Sequence, residues 1–185
     1  MELINLFKES GALLEGHFLL SSGKHSQKYV QCEQLMQYPD RARQVVEAVA
    51  EKVKDLQIDV IVGPAMGGIR AAYELGRQLN IRTIFTERVD NVMTLRRGFQ
   101  IHEGEKVLIM EDVVTTGKSS MEAAKVIETL GGQVIGIGCL VDRKVSALRL
   151  PIYSAVELYF KAYDQKECPE CEKGSQPVKP GSRKQ

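Results

Sequence analysis

The chain has 185 residues, enough to bury one hydrophobic core without a second domain. Its 25 basic and 24 acidic residues nearly cancel, to a net charge of +1, which argues against a nucleic-acid-binding surface as its main business. No apolar run reaches membrane-spanning length, and the opening Met1-Glu2-Leu3-Ile4-Asn5 lacks the basic-then-apolar order of a signal peptide, so a cytoplasmic protein with no membrane or nucleic-acid partner is expected.

In chain order, residues 2–10 read as a short helix with Leu3, Leu6 and Phe7 on one face, stopped by Gly11. GHFLLSSGKHSQKYVQC (16–32) reads as two strands joined by a turn at Ser21 to Lys24. Pro39 opens a helix to about Lys54, with Val45, Val46, Val49 and Val53 facing inward. DVIVG (59–63) is the first strand of a buried parallel type, its exit shaped by Gly63, Gly67 and Gly68, and a helix follows through Leu79. IRTIF (81–85) is the next strand, followed by a polar segment from Thr86 to about Glu105. VIGIGCLV (134–141) is a later strand, and the polar, proline-containing 172–185 is expected to be partly mobile. Cys32 and Cys139 stand alone. Cys168 and Cys171 make one C-x-x-C, half of a four-cysteine zinc site, and read as exposed or weakly structural thiols, so no metal ligand is assigned. His25 and His102 read as solvated loop residues.

The stretch with most chemistry is Val107–Ser119, VLIMEDVVTTGKS. Four apolar residues suit a strand buried on both faces, and Glu111 and Asp112 follow at once. A turn of Thr115, Thr116, Gly117, Lys118 and Ser119 then runs into a helix whose Met121, Ala124, Val126, Ile127 and Leu130 are spaced for one buried face. Unpaired N–H groups and the positive end of a helix dipole favour an anion there, Gly117 lets the backbone approach it, and the hydroxyls add donors. The acids would repel a second phosphate but accept bonds from sugar hydroxyls or hold Mg²⁺ through water. Phosphate beside ribose implies a phosphorylated sugar. A Walker A loop fails on spacing, because Asp112 stands where its first glycine is needed, and a G-x-G-x-x-G fingerprint is absent. The alternation of strands and helices implies an α/β fold, a mostly parallel twisted sheet flanked by helices, with Gly63–Gly68, Thr86–Arg97, Glu111–Ser119 and Asp142–Arg143 all at the carboxyl ends of strands.

VLIMEDVVTTGKS resembles the phosphoribosyl-diphosphate signature of the type I phosphoribosyltransferases. GHFLLSSGKHSQKYVQ, GPAMGGI, FTERVDNVMTLRRGF, VDRK and CPECEKGSQPVKPGSR are similar to stretches of orotate phosphoribosyltransferases. The resemblance implies the type I phosphoribosyltransferase fold in a single domain, 1–185, with a hood from about 1–37 and 150–185 over a core of about 38–149. It implies transfer of phosphoribose from phosphoribosyl diphosphate to orotate with Mg²⁺, a step toward pyrimidine nucleotides, in a homodimer. Glu111, Asp112, Val113, Val114, Thr115, Thr116, Gly117, Lys118 and Ser119 would bind phosphoribosyl diphosphate, and Thr115 and Arg143 would bind orotate. Tyr29 and Val30 would present backbone groups to the base, with Lys24 and Lys28 near the substrate charge. Arg88, Arg96 and Arg97 would act from a mobile catalytic loop, where arginine's planar fork suits a diphosphate. Many family members carry lysine at Gly67, so one diphosphate contact departs from the pattern. A purine or xanthine phosphoribosyltransferase and a non-catalytic sensor of phosphoribosyl diphosphate are the alternatives, the second disfavoured by balanced charge.

Overall fold

The computed structural model describes residues 2–20, 22–145 and 147–180. From the N-terminus come helix α1 (Leu3–Glu9), strands β1 (Leu13–Leu19) and β2 (His25–Val30), the single turn α2 (Glu33–Met36) and helix α3 (Pro39–Val53). Then follow β3 (Val60–Pro64), α4 (Gly67–Leu79), β4 (Arg82–Val89), β5 (Val92–Leu95), β6 (Lys106–Val114), α5 (Lys118–Thr129), β7 (Gln133–Asp142), β8 (Ile152–Glu157) and, in the tail, α6 (Pro169–Glu172).

Six strands form one sheet in the order β5-β4-β3-β6-β7-β8, all neighbours parallel except β4 and β5. Both faces are buried, and strand alternation divides the residues between them. Ile61, Leu108 and Met110 join Phe7, Leu35, Val45, Val46, Val49, Val53 and Leu75 under α1 to α4. Val60, Val62, Val107 and Ile109 join Ala123, Ala124, Ile127 and Ile137 under α5. Each fully buried valine of α3 contributes about 1.5–3 kcal/mol, so the four inward valines hold that helix on the sheet. Among the described residues no helix is long and apolar enough to cross a membrane.

Four expectations change. β6 does not stop at Met110 but carries Glu111 and Asp112 within the strand and ends at Val114. The face of α5 is Ser120, Ala123, Ala124 and Ile127, with Met121 and Val126 partly buried beside it, while Leu130 lies past the helix end and is exposed. Residues 86–95 are no open loop: Asp90 and Asn91, at φ 49° and 64°, form a two-residue turn that folds β5 back on β4. Two left-handed residues match the twist of paired strands, which is what Asp-Asn supplies between Val89 and Val92. Finally, Ile152–Glu157, within the stretch given to the hood, joins the edge of the central sheet. Ser21 of the expected turn and 181–185 of the expected mobile tail lie outside the described residues.

β1 and β2 form a separate antiparallel pair. The tail is stitched to it by Val178 N–H to the His17 carbonyl, Leu19 N–H to the Val178 carbonyl, and reciprocal bonds between His25 and Tyr163, all 2.8 Å.

Candidate active site

Strand order reverses between β3 and β6, since the chain moves from β3 outward to β4 on one side and returns to β6 on the other. Ligands of open parallel sheets bind beyond the carboxyl ends of strands at such a point. Here the exit of β3 meets the end of β6 closely. A Cβ on Gly67 would lie 2.4 Å from the Asp112 carboxyl carbon, so a side chain there would have to displace that carboxylate. The departure from lysine at this position therefore has a steric partner in Asp112. The Ala65–Met66 peptide beside it is cis.

Successive residues of a strand point to opposite faces, and the two acids do so. Asp112 faces Gly67, while Glu111 is buried and accepts a 3.1 Å hydrogen bond from Ser120 of α5. Burial, then the neighbouring Asp112 charge, pushes the Glu111 carboxyl up to about 8, against the pull of Ser120 and Arg88. Burial also raises Asp112, opposed by backbone N–H groups of Asp112 and Val113.

The loop after β6 has the build expected of an anion site. Gly117 has φ 72° and caps α5, and a Cβ there would also strike Leu148 at 2.4 Å. No side chain caps the helix, Thr115, Thr116 and Lys118 are exposed, and Ser119 is half-buried. The Lys118 N–H makes only a long 3.4 Å bond to the Thr116 hydroxyl, so the Ser119 and Ser120 N–H groups are the donors that remain available to a phosphate.

Arg143 follows β7, and its N–H donates to the Val114 carbonyl at 2.9 Å, which places it beside the Thr115–Ser119 loop. Asp142 fixes that turn by accepting from the Lys144 N–H at 2.8 Å and pairing with the Lys144 ammonium at 3.3 Å. The Arg143 side chain is only 7% exposed. Its guanidinium stacks 3.2 Å over the Phe160 ring, donates from Nη2 to the Phe160 carbonyl at 3.3 Å, and leaves Nε buried without a partner. Among the described residues no carboxylate pairs with it, and burial lowers its pKa to about 10, so it stays charged at neutral pH. A buried, unneutralised guanidinium is costly and suited to an anionic ligand.

The three loop arginines are not brought together. Arg88 ion-pairs with Glu122 of α5, donates to the Asn91 carbonyl at 3.2 Å and lies within the field of Glu111. Arg97 lies with the side chains of the other face, bidentate to Glu87 at 3.0 and 3.2 Å and over the Phe85 ring. Arg96 is exposed. In the hairpin, Lys28 pairs with Glu15 at 3.3 Å and Lys24 with Asp164 at 3.6 Å, Tyr29 stacks near Phe18, and Val30 is buried. His102 is exposed as expected, but His25 is buried rather than solvated, and Cys168 is buried rather than exposed. Phe160 and Ser120 were missed as site residues. Phe160 carries no local motif, and Ser120 stands one position beyond the recognised run.

Comparison with known proteins shows the family. The family described as phosphoribosyl transferase domain matches residues 31–159. An orotate phosphoribosyltransferase of Caldicellulosiruptor bescii is 50% identical over 183 residues, covering 98% of this chain and 96% of that one. The chain belongs to the orotate phosphoribosyltransferase family. Solved structures share the fold: orotate phosphoribosyltransferase of Aeropyrum pernix has a TM-score of 0.75 at 23% identity, over 84% of this chain and 93% of that one. UMP synthase of Leishmania donovani has a TM-score of 0.74 at 27% identity, over 85% of this chain and 36% of that one. Within the family fold, the Thr115–Ser119 loop, the two acids and Arg143 all stand at the carboxyl edge of the sheet.

Proposed function

We propose that this chain transfers the phosphoribosyl group of phosphoribosyl diphosphate to orotate, giving orotidine 5′-monophosphate and diphosphate. The observation that carries the choice of base is Arg143, buried, charged and without a carboxylate partner, one backbone hydrogen bond from the loop that suits the 5-phosphate. Orotate differs from uracil by the carboxylate that such a fork would receive in two parallel bonds.

In this reading Thr115 to Ser119 hold the 5-phosphate, and Asp112 and Glu111 accept from the ribose hydroxyls. The bond from C1 to the diphosphate oxygen breaks with its electron pair leaving on diphosphate, and the ring nitrogen of the anionic base then donates its pair to C1. The attacking ring nitrogen bears a proton when orotate is charged only at its carboxylate, and that proton leaves to water or to the departing diphosphate as the bond to C1 forms, so the chain's task is to position both substrates, exclude bulk water and balance charge. Arg88 would exchange Glu122 for the diphosphate. The donors at the site are carboxylates and hydroxyls, hard oxygen groups that fit Mg²⁺ held largely by substrate and water. When bound, the ion offsets charge on the leaving diphosphate.

We also place the enzyme in the cytoplasm as a homodimer, supported by the family resemblance. Initial rates with orotate, uracil, adenine, hypoxanthine and xanthine, each with phosphoribosyl diphosphate and Mg²⁺, test the function. Turnover of orotate alone is expected, and a purine outpacing orotate would overturn the reading.

A further inference from the structure

Four potential ligands meet outside the active site, where the tail crosses the β1–β2 hairpin. His17 and His25 come from the two hairpin strands, Cys168 and Cys171 from the C-x-x-C that opens and lines α6. His17, His25 and Cys168 are buried and Cys171 is half-buried, and one ligand atom from each lies within 4.8 Å of every other. His17 Nε2 stands 2.8 Å from His25 Nδ1, 3.4 Å from Cys168 Sγ and 3.7 Å from Cys171 Sγ, while Cys171 Sγ is 3.3 Å from His25 Nδ1.

We propose that His17, His25, Cys168 and Cys171 form a structural zinc site that pins the C-terminal tail to the hairpin. A hydrogen bond between the imidazoles accounts for the 2.8 Å contact but not for two sulfurs converging on the same nitrogen, which has one proton or one lone pair to share. Vertices around a common centre account for all of them. With Zn–N about 2.05 Å and Zn–S about 2.3 Å, a tetrahedron has edges of about 3.3 Å between nitrogens and about 3.6 Å between nitrogen and sulfur. Three of the four nitrogen–sulfur distances, at 3.3 to 3.7 Å, fit as they stand, the imidazoles would part by roughly 0.5 Å, and the remaining pairs, within 4.8 Å, would draw in.

Two thiolates and two neutral imidazoles suit zinc, and four protein ligands leave no open position, the pattern of a structural rather than catalytic site. Binding releases the two thiol protons and transfers no electrons. The tail has a use for such a clamp. Neither the 3-10 turn Gln165–Glu167 nor α6 contributes a buried residue, so this segment brings almost no core of its own beyond Cys168. A short element of this kind needs a staple. The hairpin contributes the other two ligands because the turn pairs His25 with Leu19, two residues from His17 on the neighbouring strand.

The test is elemental analysis of the full chain purified under reducing conditions without chelator and equilibrated with Zn²⁺, then dialysed. About one zinc per chain is expected, and a Co²⁺-loaded sample should show a sulfur-to-cobalt charge-transfer band with intense visible bands of four-coordinate cobalt. Cys171→Ser, at the most exposed ligand, should lose the retained metal and the charge-transfer band and melt at a lower temperature, while His102→Ala keeps all three. These readouts do not involve turnover, so they stand or fall apart from the assignment of orotate. Retention of well under one equivalent by the wild type, cobalt spectra without sulfur character, or unchanged metal content in Cys171→Ser would each overturn the site.

Discussion

Glu111 shows how a single residue binds the site's chemistry to the fold's stability. Its carboxyl has a folded pKa of about 8 against an ordinary value of 4.5. Between those values the native state holds a proton that the unfolded state has lost, so stability falls as pH rises from about 4.5 to 8 and is insensitive to this group above that range. Melting of the protein without substrate or added Mg²⁺ should therefore decline across that window. Glu111→Gln, which keeps a neutral partner for Ser120, should flatten the decline, and an equally steep fall in the variant would remove Glu111 as its source. Asp112 is approached from the other face of β6. Asp112→Asn should weaken use of phosphoribosyl diphosphate by about 1–3 kcal/mol, the scale of a lost charged hydrogen bond, read from kcat/KM for that substrate. Unchanged kinetics would take Asp112 out of the ribose site.

At the scale of elements, the hairpin of β4 and β5 sorts the arginines that the sequence left as one group. Arg88 lies with Glu122 and Glu111, whereas Arg97 is held by Glu87 with the side chains of the opposite face. Arg88→Ala should raise the KM for phosphoribosyl diphosphate at least tenfold, about 1.4 kcal/mol or more, and Arg97→Ala should change it much less. The reverse order would mean that the hairpin reorganises to bring Arg97 inward. The misreading of this segment has a local cause, because the second half of β4 is the polar Thr86-Glu87-Arg88 and β5 is only four residues long, so neither registers as an apolar run. Long periodic elements were legible for the opposite reason: α3 declares its burial in valines at helical spacing, and the strands at 60–63, 107–110 and 134–141 in apolar runs interrupted by nothing more polar than glycine or cysteine. What sequence could not show is contact across distance. Phe160 under Arg143, Ser120 on Glu111 and the two histidines facing Cys168 and Cys171 are each joined by folding, and the C-x-x-C looked incomplete because its other half lay about 150 positions away.

For the whole molecule, the sheet sets a division of labour. The switch between β3 and β6 gathers Gly67, Glu111, Asp112 and the Thr115–Ser119 loop, which we propose hold phosphate and ribose, and the end of β7 sets Arg143 beside them. Phe160, beyond β8, underlies the Arg143 guanidinium from the segment leading into the tail. The central claim is that Arg143 receives the carboxylate of orotate, and the KM of each substrate in Arg143→Ala measures it directly. Truncating one partner of a buried charged pair costs about 2–5 kcal/mol, so the orotate KM should rise roughly thirtyfold or more while that for phosphoribosyl diphosphate stays near its wild-type value. Arg143→Lys should recover only part of the loss, because an ammonium lacks the paired donors. Equal losses for both substrates, or an orotate KM left unchanged, would contradict the account.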